Sequence, residues 1–119
     1  MRIFYIRQMS KLAFTTPPDD IQELAASAHS AARLLKLLAS EQRLLILCRL
    51  IDGEASVGDL AIHVGLAQSA TSQHLAKMRA EGLVATRREA QTIFYRLDDP
   101  AAMRVLETLC DVYRGEARA

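Results

Sequence analysis

The sequence predicts a mainly α-helical domain with one β-hairpin near its C-terminal end, in the order α-α-α-α-β-β-α. Apolar residues recur at helical spacing through most of 21–80 and again over 100–113. Between them, 83–97 switches to a period of two, with β-branched and aromatic residues (Val84, Thr86, Thr92, Ile93, Phe94, Tyr95). Helix-start and helix-stop residues fall where this division needs them, at Ser40, Gly53, Ser56, Gly65, Gly82 and Asp99-Pro100.

Thr15-Thr16-Pro17-Pro18 punctuates the N-terminal part, so residues 1–18 read as a flexible extension, and Met9 offers an alternative start. Asp19 and Asp20 suit a helix N-terminus, where carboxylates meet unpaired amides and the positive end of the dipole. Leu24, Ala28, Ala31, Leu34, Leu35 and Leu38 then mark a first helix over 21–38. Ser40 caps a second helix, with Glu41 in its first turn. Its run 43–51 is apolar on nearly every side, which predicts the central core helix. Ser56 opens a short third helix, with Asp59 three residues on as a variant capping box and with Val57, Leu60 and Ala61 facing inward. Gly65 supplies the left-handed turn that ends it. The fourth helix covers 68–80, with Ala70, Leu75 and Met78 as core candidates, and Gly82 ends it.

Strands over 83–87 and 92–97 flank the turn Arg88-Glu89-Ala90-Gln91, which has no glycine. Asp99 caps the last helix and Pro100 takes its first position. Met103, Val105, Leu106, Leu109, Val112 and Tyr113 give that helix an apolar stripe, and it is expected to fray after Gly115. The domain thus spans 19–115, with 116–119 as a tail.

With 119 residues the chain has room for one domain. Its net charge of +1 excludes nothing, but the distribution is uneven. Residues 1–67 are balanced, whereas 68–97 carry five basic side chains (Lys77, Arg79, Arg87, Arg88, Arg96) against two acidic ones (Glu81, Glu89). A basic segment on a neutral background is the footprint of a phosphate-binding face, or else a solvated charged surface. No apolar run is long enough to cross a membrane, and the first residues lack a secretory pattern. Two cysteines without an export signal predict a cytoplasmic, reducing location.

The stretch 56–75 carries the functional reading. A short helix, a turn at Gly65 and a second helix make a helix-turn-helix. The second helix is rich in small polar side chains: Gln68, Ser69, Thr71, Ser72, Gln73 and His74. Amides can read adenine edges in a major groove, and hydroxyls can bind bases or phosphates. Lys77 and Arg79, further along, can reach phosphates. Arg87, Arg88, Gln91 and Arg96 lie on the hairpin, making it a wing able to grip phosphate or a narrow minor groove. The same arginines would also serve as a charged edge that blocks strand addition. Ser56, at the start of the motif, completes the DNA-binding candidates. The fold class is therefore a winged helix-turn-helix.

These segments carry a specific resemblance. L-L-K-L-L-A-S-E-Q-R-L-L-I-L-C-R-L (34–50), the helix-turn-helix of 56–84 and T-R-R-E-A-Q-T-I-F-Y-R-L (86–97) resemble the ArsR/SmtB family of bacterial winged-helix repressors. Q-S-A-T-S-Q-H-L and R-R-E-A-Q-T-I-F-Y are similar to its metal-independent branch. The resemblance implies a homodimer built from the first and last helices that binds a double-stranded, inverted-repeat operator. The sequence supports the dimer separately, since both helices carry more apolar surface than so small a domain can cover. Two recognition helices related by a twofold axis would enter major grooves about 34–36 Å apart.

Family members often release DNA on sensing a signal. The helix before the recognition helix reads D-L-A-I-H-V, without cysteine. The last helix has Glu107, Asp111 and Glu116 but no histidine, and His29, His63 and His74 lie in different elements. No metal site and no cofactor are therefore expected. Cys48 matches the second-helix cysteine of the persulfide- and oxidant-responsive members. Their second cysteine aligns with Arg114 here, whereas Cys110 falls one turn earlier. A four-residue offset moves a sulfur about 6 Å along the axis, and a disulfide needs Cα atoms within about 7 Å. The offset thus favours two small buried thiols over a redox or persulfide pair, with the pair left open. Arg49, beside Cys48, would lower a thiol pKa only if it pointed inward.

Two other function classes fit the sequence less well. A winged-helix protein-interaction module without DNA binding would favour an acidic or apolar recognition helix and a wing without arginines, and the sequence has neither. An enzyme needs a nucleophile, a base and an orienting group at usable spacing. Ser72 and His74 are two apart on a helix and point in different directions, so no catalytic residues are expected.

Overall fold

The computed structural model describes residues 18–118, with side chains described over 21–114. The extension expected over 1–18 lies outside the described residues except for Pro18, as does Ala119 of the expected tail. The backbone divides into two units, with the boundary between Lys36 and Leu37.

The first unit holds most of α1 (Pro18–Leu38). Proline suits the first helical position because its missing N–H has no partner there in any case. The side chains of 21–33 are all exposed, apolar ones included. Its regular apolar spacing marks a helix, and over 21–33 that stripe is exposed, while Leu34 is half-buried.

The second unit carries the remaining elements in the order α2 (Glu41–Ile51), β1 (Ala55–Ser56), α3 (Val57–Val64), α4 (Gln68–Ala80), β2 (Val84–Glu89), β3 (Thr92–Leu97) and α5 (Pro100–Arg118). Three of its four helix starts have a side-chain cap. Ser40 Oγ accepts the Arg43 N–H at 3.4 Å, and Ser56 Oγ accepts the Asp59 N–H at 3.2 Å. Asp99 Oδ1 accepts the N–H groups of Ala101 at 2.9 Å and Ala102 at 3.2 Å. Gly65 closes α3 at φ 72°, a region where a side chain would be strained. The expected boundaries hold to within a residue or two, except that α5 continues to Arg118 instead of fraying after Gly115.

The core of this unit is built around α2, as its all-round apolar character predicts. Ile46, Leu47 and Leu50 of α2 are sealed, together with Leu60, Leu75, Met78, Leu83, Val84, Ala102 and Leu106 from the elements packed on it. Side chains of this size stabilise by about 1.5–3 kcal/mol each when fully buried.

The hairpin is part of a three-stranded antiparallel sheet in the order β1-β3-β2. The two-residue β1 pairs Ala55 with Tyr95 and Ser56 with Phe94, so it ties the hairpin to the start of α3. No periodicity could announce so short a strand. β2 also runs further than expected, to a Glu89–Thr92 pair, leaving Ala90 and Gln91 as a two-residue turn, while β3 keeps its expected bounds.

Ala90 sits at φ 54°, in the left-handed region. A Cβ there costs on the order of 1–2 kcal/mol, partly offset by the entropy that a glycine would lose. Ala90→Gly is therefore expected to stabilise the fold by about 0.5–1 kcal/mol, read as a higher urea midpoint with an unchanged m-value. A lower midpoint would contradict the strain.

Candidate nucleic-acid interface

Helix α4 owes its orientation to one stripe. Thr71, Leu75 and Met78, spaced four and three apart, are all sealed in the core. Thr71 was expected among the DNA contacts, and the structure corrects this. Its side chain is 0% exposed, and its hydroxyl donates to the Ala67 carbonyl at 3.0 Å. Its small, hydrogen-bonded hydroxyl lets a polar residue serve as a core residue. Ala70, expected in the core, is only half-buried.

The opposite face of α4 follows from helix geometry. Ser69 and Gln73 lie across the axis from the buried stripe and are exposed. Gln68 and Ser72 occupy one flank, with exposed Arg79 further along it, while half-buried His74 and exposed Lys77 lie on the other. No side chain caps the start of α4, and no acid sits in its first turn. Its first amides therefore stay available to an anion.

Beside α4 is a notch of about 410 Å³, lined by Ser56, Gln68, Ser72, Gln91, Ile93 and Tyr95 among others. Four of these are expected DNA-binding residues drawn from three separate elements. Ser56 caps α3 and lines the notch at once.

Strand alternation separates the wing arginines. Arg88 pairs with Ile93 and Thr86 with Tyr95, so Arg88 shares the sheet face that borders the notch. It is exposed, with Nε donating to the Ala90 carbonyl at 3.1 Å. Arg87 pairs with Phe94 and Arg96 with Ala85, on the other face. Arg87 was expected to contact phosphate, but its guanidinium is engaged within the chain. Its Nε donates to both Glu54 oxygens at 2.8 Å, its Nη2 pairs with Glu54 Oε1, and its Nη1 meets Glu89 Oε2 at 3.0 Å. The Arg87 hydrogen bonds hold the Glu54 carboxyl below the usual carboxylate range, and the Arg96 charge adds to this. Arg96 itself is exposed.

The two thiols also meet. Cys48 on α2 and Cys110 on α5 are half-buried, and their Sγ atoms lie 2.9 Å apart. This removes the distance objection drawn from the one-turn offset, while both thiols are free. The offset was measured against a family position, while the distance depends on where α2 and α5 pack. Burial, then the hydrogen bond with Cys110 and its charge, pushes the Cys48 thiol up to about 12. Arg114 opposes this shift; Arg49, considered for that role, instead donates to the Gly53 carbonyl at 3.3 Å. Among the described residues, no three His, Cys, Asp or Glu side chains gather as a metal site.

Comparison with known proteins agrees with this arrangement. Residues 40–86, from the α2 cap through the start of β2, match the model of the bacterial regulatory protein arsR family. The transcriptional activator HlyU of Vibrio cholerae is 48% identical over 96 residues, covering 81% of this chain and 89% of the relative. The chain belongs to the arsR family. The solved structure of reduced HlyU superposes with a TM-score of 0.73 at 49% identity, over 77% of this chain and 97% of that one. The repressor BigR of Xylella fastidiosa gives a TM-score of 0.71 at 36% identity, over 82% and 97%. A homodimeric winged helix-turn-helix DNA-binding domain from Mycobacterium bovis gives 0.65 at 31%, over 78% and 86%.

The family fold thus brings Ser56, Gln68, Ser72 and Gln91 together and leaves Ser69 and Gln73 outermost on α4. Sequence reasoning missed Glu54, because a carboxylate in a loop looks like any solvated charge. It also missed Tyr95 and Ile93 as walls of the notch, since their alternation marked only a strand.

The raised Cys48 thiol has a pH consequence. The folded state keeps its proton above pH 9, where an unfolded thiol loses it. Its contribution to stability is complete below about pH 9 and is lost as pH rises towards about 12. Denaturant melts of the reduced protein should weaken across that window, and Cys48→Ala should weaken less. Parallel curves for the two proteins would rule the shift out.

Proposed function

We propose that this arsR-family regulator is a repressor that holds an inverted-repeat operator as a homodimer and releases it when Cys48 and Cys110 are joined. The observation that carries the reading is the outward face of α4. Ser69 and Gln73 point away from the buried stripe, with Gln68 and Ser72 beside them. Short amides and hydroxyls on an exposed helix suit the donor and acceptor pattern of a major groove. Arg88, Lys77, Arg79 and Arg96 are exposed cations fit to contact the flanking phosphates.

The dimer reading rests on exposed apolar side chains. Ile21, Leu24 and Leu35 of α1 are each more than half exposed, and so is Tyr113 of α5, with Val112 at 40%. A twofold interface through α1 and α5 would remove this surface from water. The relative from Mycobacterium bovis is a homodimer, which supports self-association. BigR is a repressor and HlyU an activator. Repression is the simpler output here, since operator occupancy alone blocks a promoter.

Release follows from the thiol pair. A hydroperoxide would take two electrons and two protons from the two thiols, leaving a disulfide, an alcohol and water. A polysulfide would instead insert one of its sulfur atoms between the two, its S–S bonds breaking and its remaining sulfur leaving as hydrogen sulfide with the two thiol protons. Cys110 lies on α5, beside Val112 and Tyr113, so a bond to α2 would act on the proposed dimer seam. A change in that seam would alter the spacing of the two recognition helices. A reducing cytoplasm would keep the pair in its thiol form.

Gel shifts at matched salt test the DNA reading. Gln73→Ala should weaken operator binding by about 1–3 kcal/mol while leaving random duplex binding unchanged; equal losses on both would refute base reading. For release, peroxide treatment should abolish operator binding by wild type and spare Cys48→Ser and Cys110→Ser. Mass spectrometry should find the two cysteines linked. Full binding by the linked protein would refute release.

A further inference from the structure

We propose that Glu54 is a positioning residue for DNA binding, which braces the wing through Arg87 so that Arg88 and Gln91 meet the duplex at a fixed angle. The inference rests on the wing contacting DNA.

The hairpin is long, and its attachment is short. Beyond its roots at Leu83, Val84 and Leu97, the hairpin is tied to the rest of the unit by two strand pairs, Ala55–Tyr95 and Ser56–Phe94, and by the packing of β3 on α2, α3 and α5 and of β2 on α4. From Arg87 to Ile93, every residue of the hairpin is exposed. Past β1 this exposed part is a two-stranded hairpin, which by itself is only marginally stable. Arg87 corrects this. It sits on β2, directly across from Phe94 on β3, which in turn lies across from Ser56 on β1. Its guanidinium lies over the Phe94 ring, 4.6 Å from the centroid, and reaches Glu54, immediately before β1. One side chain therefore spans the full width of the sheet.

The guanidinium is held on three sides. Glu54 takes it in a forked arrangement, Glu89 holds Nη1, and the ring backs it. Planar, forked contacts fix direction as well as distance. Glu54 itself is anchored, lying between Gly53, whose N–H donates to Leu50 at the end of α2, and buried Ala55. The brace thus runs from the core helix to the middle of the wing. It also consumes the charge of Arg87, so the cation presented on the notch side is Arg88.

Electrostatics and positioning make opposite forecasts for Glu54→Gln. Removing an acid near a polyanion should strengthen DNA binding if only charge matters. If Glu54 is a brace, losing it should weaken binding despite the gain in net charge. Operator affinity of the full-length protein should be measured across a salt series for wild type, Glu54→Gln, Arg87→Gln and the double variant. Circular dichroism melts would confirm that each is folded.

The expected result is a severalfold loss in Glu54→Gln, a similar loss in Arg87→Gln, and no further loss in the double variant. The slope of log K against log salt should fall by about 0.9 in each, the value for one lost phosphate contact. Tighter or unchanged binding by Glu54→Gln overturns the proposal, as do additive losses in the double variant. Failure of the wild-type protein to bind any duplex would sink the DNA reading itself, and the brace with it.

Discussion

The burial of Thr71, Leu75 and Met78 along one side of α4 is the constraint on which the rest of the interface depends. A helix free to roll about its axis presents no fixed surface. Three sealed residues spaced four and three apart remove that freedom. Rolling α4 outward would expose Leu75 and Met78, each worth about 1.5–3 kcal/mol when fully buried. It would also break the seal around Thr71, whose hydroxyl donates to the carbonyl of Ala67, the residue just before α4. The polar face is thus outward because the apolar face cannot be. Gly65, in the left-handed conformation, sets the angle at which α4 leaves α3.

The wing obeys a second geometric rule, the two-residue period of a strand. Adjacent arginines at 87 and 88 must point to opposite faces. One is taken up by Glu54 and the ring of Phe94, and the other stays beside the notch that α4 helps to line. The basic surplus of this segment therefore overstates the charge available to a phosphate. Ion pairs on an exposed surface contribute little to stability in general. Their consequence here lies in direction: a forked contact across three strands fixes where the hairpin points.

The thiol pair joins the core helix α2 to α5, which also carries exposed Val112 and Tyr113. Burial and the neighbouring sulfur keep Cys48 protonated through the physiological range. A thiol in this condition is a poor nucleophile by itself, because the thiolate is the reactive form. Its value is proximity: the partner sulfur is already within contact distance. The same packing that buries the pair connects it to the surface proposed for self-association.

The sequence by itself determined the succession of elements, because caps, glycine turns and apolar periods act over a few residues. Ser40, Ser56 and Asp99 stand at helix starts in the chain and cap helices in the fold. It also determined the polar identity of α4 and, by resemblance, the family. What only the tertiary structure decided depends on contacts between residues far apart in the chain. Periodicity did not reveal that Thr71 is a core residue, since its hydroxyl made it look like its polar neighbours. Nothing local distinguished Arg87 from Arg88, because the difference is a carboxylate 33 residues away. The two-residue β1 has too few positions to show a pattern. The separation of Cys48 and Cys110 was set by how α2 packs on α5, which an alignment offset along one helix does not encode.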